Sequence, residues 1–291
     1  MKFIIGGAQL GQIYGITNKN KTLLSEIEIF RILEYCWKSK IRVIDTAENY
    51  GRSLEQIGNY HKNSKNKFKI INKVYGSKNN YSFEKIKSNL INQLNVSNVD
   101  YFETIMIHNP EFVPKDLSNK ELQSLKDDKI SKKIGVSIYS QNDYYLLSKK
   151  FNFDVIQLPM NILNQELFSK EFFAELKQKK IEIHARSIFL QGLLIGSTKN
   201  FPNNLSKLKR PIKKIQKMAF KNNRSTLSVA LQYITENPFI DSSIIGVQSL
   251  NELKEILKVI KLIYEKPIKN IDWKNLSFND HKITNPKNWK I

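Results

Sequence analysis

The sequence predicts an α/β chain folded as a (β/α)8 barrel, the TIM barrel, and three observations lead there. Eight short runs rich in β-branched and apolar residues recur along the 291 residues, helical patterns separate them, and no linker or low-complexity stretch divides the chain. The runs are FIIGGA from Phe3, RVIDTA from Arg42, KIINKV from Lys69, FETIMIH from Phe102, KIGVSIY from Lys133, VIQLP from Val155, EIHARSI from Glu182 and SSIIGV from Ser242. Near-continuous apolar strands are the mark of a parallel sheet buried on both faces. Residues 1–291 therefore read as a single domain, with 266–291 as a C-terminal tail.

The predicted helices alternate with these strands. SEIEIFRILEYCWKSK sets Ile27, Phe30, Leu33 and Trp37 at helical spacing. In SFEKIKSNLINQLN, Ser82 is the expected N-cap of a helix with Phe83, Ile86, Leu90 and Leu94 on one face. SKEFFAELKQKK, TLSVALQYITEN and SLNELKEILKVIKLIY continue the pattern. The longest interruption, LLIGSTKNFPNNLSKLKRP after the seventh run, is expected to be a loop able to cover a ligand. The tail carries Trp273, Phe278 and Trp289 on a polar background, suited either to fold over the barrel mouth or to cover its side.

Composition narrows the function classes. Hydrophobic residues at 41% and charged residues at 25% are ordinary for a soluble globular chain. The single cysteine, Cys36, permits no internal disulfide and no Cys-rich metal site, which fits a cytoplasmic protein. The apolar start breaks at Gly6 and Gly7, too soon for a signal peptide, and no stretch reaches bilayer-spanning length. The formal charge of +20 is spread along the chain without an aromatic-interleaved basic motif. Neither a nucleic-acid nor a membrane partner is expected; attraction for anionic cofactors or substrates is.

In a barrel the C-terminal strand ends face the active-site mouth. Asp45 stands near the end of the second run with Tyr50 on the loop after it, Lys73 near the end of the third, and His108 closes the fourth. Taken singly, each has a structural explanation as a capped turn, a solvated charge, a rim histidine or a packing aromatic. Together they compose a proton donor. A phenol of pKa about 10 needs a nearby ammonium to ease proton loss, the ammonium needs a carboxylate to hold its charge, and a histidine can orient a carbonyl oxygen.

The segments DTAENYG, INKV and IMIHNP resemble, in order and separation, the catalytic segments of the aldo-keto reductase family, and the likeness runs from GGAQLG to IIGVQSLNEL. That family is a barrel binding a nicotinamide cofactor without a Rossmann domain, in keeping with a GGAQLG start that lacks the helix context of a dinucleotide fingerprint. The resemblance implies that Tyr50 is the general acid of carbonyl reduction, that Lys73 lowers its pKa, that Asp45 pairs with Lys73 and that His108 orients the carbonyl. It assigns the nicotinamide carboxamide to Ser137 and Gln157, with Ile138 standing where many relatives carry Asn. Arg186 occupies the place of a tyrosine that stacks on the nicotinamide in many relatives. Ser187, Phe189 and Gly192 fall along the diphosphate. Gly246, Gln248, Ser249, Glu252 and Glu255 fall at the adenosine end, where the helix opening at Ser249 would offer N–H groups to a phosphate. NADP is the implied cofactor, with NAD as the other candidate because Gln248 supplies no charge for the extra phosphate. GGAQLG, YGITN and ARSIFLQGLL look most like a bacterial branch associated with carbohydrate and surface-polysaccharide biosynthesis, which implies a small-molecule carbonyl substrate and favours a free or nucleotide-linked sugar. An NADP-binding regulatory barrel with negligible turnover is the alternative. The sequence carries no sign of oligomeric state.

Overall fold

Each β-branched run pairs in parallel with the next, and the eighth returns to the first, so the sheet closes into a barrel of strand order β1 to β8. The computed structural model describes residues 1–16, 18, 22–75, 82–114, 117–196 and 201–289. Along the chain the elements are β1 (Lys2–Gly6), α1 (Ala8–Gly11), α2 (Glu26–Lys38), β2 (Val43–Asp45), α3 (Ser53–Asn63), β3 (Lys69–Val74), α4 (Phe83–Ser97), β4 (Thr104–Ile107) and α5 (Asn119–Asp127). They continue with β5 (Ile134–Ser137), α6 (Gln141–Leu147), β6 (Val155–Pro159), α7 (Lys170–Gln178), β7 (Glu182–Arg186), α8 (Lys209–Lys221), α9 (Thr226–Thr235), β8 (Ser242–Ile245), α10 (Leu250–Glu265) and α11 (His281–Thr284).

Alternation along each strand sorts side chains into two layers. Ile5, Ile44, Ile70, Ile105, Ile134, Ile156, Ile183 and Ile245 join the helices in one large core. Their neighbours Ile4, Ile71, Met106 and Val155 form a separate small cluster, the floor of the barrel interior. Two residues further toward the strand ends, that same inward face carries Lys73 above Ile71 and Gln157 above Val155. The Ser expected to cap α4 does so: Ser82 accepts from the Lys85 N–H.

Two helical expectations need correction. In α2 the barrel-facing stripe is Ile29, Ile32, Leu33 and Cys36, whereas Ile27 is exposed. Phe30 and Trp37 instead pack sideways, 5.0 Å from the Tyr60 ring and 5.3 Å from the Phe68 ring. The stretch after β7 is also more helical than expected. Asn203–Leu208 forms 3-10 turns that run into α8, because Leu205, Leu208, Ile212 and Ile215 bury one face. Residues 197–200 of that stretch lie outside the described residues.

The tail takes both predicted courses in succession. Trp273 packs edge-on against Tyr233 and donates to Glu236, covering the side of α9. The chain then crosses to the loop after β6, where the Phe278 and Asn279 N–H groups donate to the Leu163 carbonyl, and Lys287 reaches Glu111 and Tyr139 on the loops after β4 and β5. Residues 290 and 291 lie outside the described residues. Among the described residues no helix is long and apolar enough to cross a membrane.

Candidate active site

β2 and β3 set the centre of the site. Lys73, with 0% of its surface exposed, donates from Nζ to Asp45 Oδ2 at 2.6 Å and to the Thr46 carbonyl at 3.1 Å. The other carboxylate oxygen, Oδ1, accepts from Gln157 Nε2 at 2.7 Å. Burial pulls the Lys73 ammonium down from its usual pKa, and the Asp45 charge opposes that pull. The pair is thus a desolvated couple in which the Asp45 charge favours the ammonium form of Lys73.

Tyr50 reaches the mouth on a short folded loop. Its N–H donates to the Ala47 carbonyl, its carbonyl accepts from the Ser53 N–H, and the Thr46 hydroxyl donates to the Ser53 hydroxyl at 2.8 Å. The Lys73 ammonium lies 5.0 Å from the centroid of the Tyr50 ring, and the His108 ring stands edge-on to it at 5.8 Å. Burial and the nearby Asp45 charge raise the phenol pKa, and Arg186 counters them. Lys73 is engaged with Asp45 and Thr46 and faces the ring, while Arg186 is the cation that opposes the rise. His108 is pushed down to about 3 by burial and by the charges of Lys73 and Arg186, so its imidazole is neutral at working pH. Its buried Nδ1 has no partner among the described residues.

Sequence reasoning missed the clamp on this loop. Glu48 Oε1 accepts from Asn89 Nδ2 at 2.8 Å and Gln93 Nε2 at 2.9 Å, and its Oε2 accepts from the Tyr75 N–H at 2.8 Å. Asn89 and Gln93 are i,i+4 on α4, a polar pair whose purpose appears only once α4 lies beside the loop. Tyr14, Tyr139 and Lys287 were missed as well. The Tyr14 phenol is raised to about 12 by burial and by Tyr50, with Arg186 countering.

The residues matched to a nicotinamide cofactor divide into those that suit it and those already engaged. Ser137 and Gln157 are buried register partners on β5 and β6. Gln157 spends its amide N–H on Asp45, which leaves Oε1 buried without a partner, an acceptor suited to a carboxamide NH2. Gly246 directly follows β8 with its α-carbon against the Gln9 amide, where a Cβ would meet Nε2 at 2.4 Å. Arg186 closes β7 and donates from Nη2 to the Ile138 carbonyl at 3.2 Å, with the Tyr139 ring centroid 4.4 Å from its Cζ. After it, Ser187, Leu190 and Gln191 all have left-handed backbone (φ 59°, 48° and 52°), a concentration of strain typical of functional loops. The Phe189 side chain is buried in the core and the Gly192 N–H donates to the Phe189 carbonyl. For those two residues, side chain and N–H respectively are therefore unavailable to a diphosphate.

At α10 the expected phosphate cradle is filled from within. The N-cap Ser249 accepts from the Glu252 N–H at 3.1 Å, Glu252 accepts from the Gln248 N–H at 2.7 Å, and Glu28 accepts from the Leu250 N–H at 2.8 Å. The Gln248 side chain donates to the Tyr14 carbonyl, and Glu255 points to solvent from the next turn. Three of the donors expected to meet a phosphate, the N–H groups of Gln248, Leu250 and Glu252, already meet carboxylates and a hydroxyl.

Comparison with solved structures finds the same architecture. Aldo-keto reductase AKR11C1 from Bacillus halodurans, in its holo form, matches with a TM-score of 0.73 at 18% identity, over 96% of this chain and 90% of that one. The glycerol dehydrogenase AKR11B4 from Gluconobacter oxydans matches with a TM-score of 0.67 at 19% identity, over 93% and 94%. At these identities the likeness carries the fold alone. Comparison with curated protein sequences finds no match. Residues 2–275 match the profile of the Aldo/keto reductase family. The chain, matched over nearly its whole length, belongs to that family and is an NAD(P)-dependent oxidoreductase acting on small-molecule carbonyl compounds.

Proposed function

We propose that the enzyme reduces a sugar carbonyl, free or nucleotide-linked, with Tyr50 as the proton donor. The observation that carries the reading is the buried Asp45–Lys73 pair beneath a phenol that also meets His108. The nicotinamide supplies the hydride, and Ser137 and Gln157 would hold its carboxamide. The raised phenol is fully protonated at neutral pH, as an acid must be before it gives its proton to the forming alkoxide. The Arg186 charge lowers the phenol pKa and the Lys73 ammonium stands 5.0 Å from the ring centroid, so positive charge lies beside the phenolate that would develop. Neutral His108 turns an edge toward Tyr50 and can donate to the carbonyl oxygen without competing for the proton.

The sequence favoured NADP. The two carboxylates at the start of α10 support NADH instead, because a 2′-phosphate there would meet Glu28 and Glu252 with their N–H partners already taken. Residues 1–291 are read as one domain, working in the cytoplasm.

Tyr50→Phe tests the reading. Carbonyl reduction should fall about 10²- to 10⁴-fold while nicotinamide binding, followed by fluorescence, persists. A variant as active as the parent would remove Tyr50 from the proton-donor role.

A further inference from the structure

Among the described residues of the mouth, Arg186 is a cation that no carboxylate answers. Lys73 is paired with Asp45 at 2.6 Å, and Lys287 with Glu111 at 2.8 Å. Arg186 has no carboxylate within ion-pair distance among the described residues. Among the described residues its hydrogen bonds are those from Nη2 to the Ile138 carbonyl at 3.2 Å and from Nη1 to the Ser187 hydroxyl at 3.5 Å, and its buried Nε has no partner. A half-buried guanidinium whose Nη1 and Nη2 each make one hydrogen bond still has a second N–H on each, and is costly to leave without an anion to receive them. Its place in the site is fixed from several sides. It ends β7 on the barrel's inner face, its Cζ lies 4.4 Å from the Tyr139 ring centroid, and the same ring is 4.5 Å from Lys287 Nζ. Its charge is felt at Tyr50 and His108.

We propose that the carbonyl substrate is an anion, carrying a carboxylate or phosphate group that Arg186 receives, with Lys287 and the Tyr139 ring completing that end of the pocket. This rests on the assignment of the carbonyl to Tyr50 and His108 and deepens it, restricting the sugar to an acidic or phosphorylated one. The arrangement separates two tasks: neutral donors meet the reacting oxygen, and the unpaired cation meets a group elsewhere on the same molecule. The tail takes part because Lys287 arrives from it, held by Glu111.

The test uses two matched pairs of probes, glyceraldehyde 3-phosphate with glyceraldehyde and glucuronate with glucose. Turnover is measured as kcat/KM, and binding to the cofactor-loaded protein by calorimetry. At least one charged probe should exceed its neutral partner by tenfold or more in kcat/KM or in affinity. Arg186→Met should collapse that ratio toward one, Arg186→Lys should restore part of it, and Lys287→Met should lower it by a smaller factor. A wild-type ratio near one for both pairs, by turnover and by binding, overturns the proposal. So does a ratio that survives Arg186→Met while the Kd for NADH and for NADPH weakens tenfold, since the guanidinium would then serve the cofactor diphosphate. Charged-probe binding without turnover would leave this proposal standing and count against the proton-donor assignment, which Tyr50→Phe examines separately.

Discussion

A Cβ placed on Gly51 would stand 2.4 Å from the carbonyl oxygen of Gly11, so the loop bearing Tyr50 and the single helical turn after β1 touch backbone to backbone. The contact is mutual. A Cβ on Gly11 would lie 2.0 Å from the Tyr50 carbonyl oxygen, and the Arg52 N–H donates to the Gly11 carbonyl. Gly51 also has φ of 55°, a left-handed conformation that costs other residues about 1 kcal/mol. Gly11→Ala should therefore displace the phenol and lower kcat by tenfold or more, a shift of about 1 Å being enough for a hundredfold loss. Steady-state kinetics on a folded variant check this, and an unchanged kcat would show that the loop position is set elsewhere.

The Asp45–Lys73 couple is expected to behave as a buried ion pair in denaturation. Asp45→Asn leaves the Lys73 ammonium in the barrel without its counter-charge and should cost about 3–5 kcal/mol. The double variant Asp45→Asn with Lys73→Met removes both charges and should recover much of that loss. Urea unfolding of the three proteins measures it. A single variant as stable as the parent would mean that water reaches the lysine.

His108 gives a pH signature of definite sign. Its folded pKa of about 3 lies below the unfolded value of about 6.5. Between those values the unfolded chain holds a proton that the native chain refuses, so stability rises with pH across the window and is lost as pH falls through it. His61, likewise lowered by burial, acts in the same direction. His108→Gln should flatten the dependence of unfolding free energy on pH between about 4 and 6.5. An identical slope in parent and variant would contradict a neutral His108.

Cofactor choice can be read by nicotinamide fluorescence. NADH should bind more tightly than NADPH, and Glu28→Gln and Glu252→Gln should each narrow the gap by roughly two- to fivefold, the worth of one charge at a helix N-terminus. A parent protein that prefers NADPH would show that other groups satisfy the 2′-phosphate.

The barrel was legible because its strands carry their own period and its helices their own caps. Ser82, Ser140, Ser169, Ser225 and Ser249 all accept from the helix N–H groups they precede. Asp45, Tyr50, Lys73 and His108 were legible as a set because three successive strand ends carry them to one mouth. Finer detail depended on packing that no local pattern records. Ile27 matched the helical spacing of α2 as well as Ile29 did, and only the direction of the barrel axis separates them. Nothing local to Glu48 marks its role, which depends on α4 bringing Asn89 and Gln93 against it from 41 and 45 positions ahead. The filling of the α10 cradle was hidden because Glu28, which takes the Leu250 N–H, lies 222 positions away. Lys287 could not be placed by reading, since its role depends on where the tail lands.

The apolar floor of Ile4, Ile71, Met106 and Val155 makes the barrel a vessel closed at one end. Beneath Lys73 and Asp45 lie the apolar side chains of this floor, which screen a field far less than water does. Whatever electrostatic influence the couple exerts is consequently one-sided, spent upward on the phenol and on any molecule resting against it. Enlarging the floor with a polar side chain would act as a leak in an insulator, weakening the chemistry at the rim without touching a single group that meets the substrate.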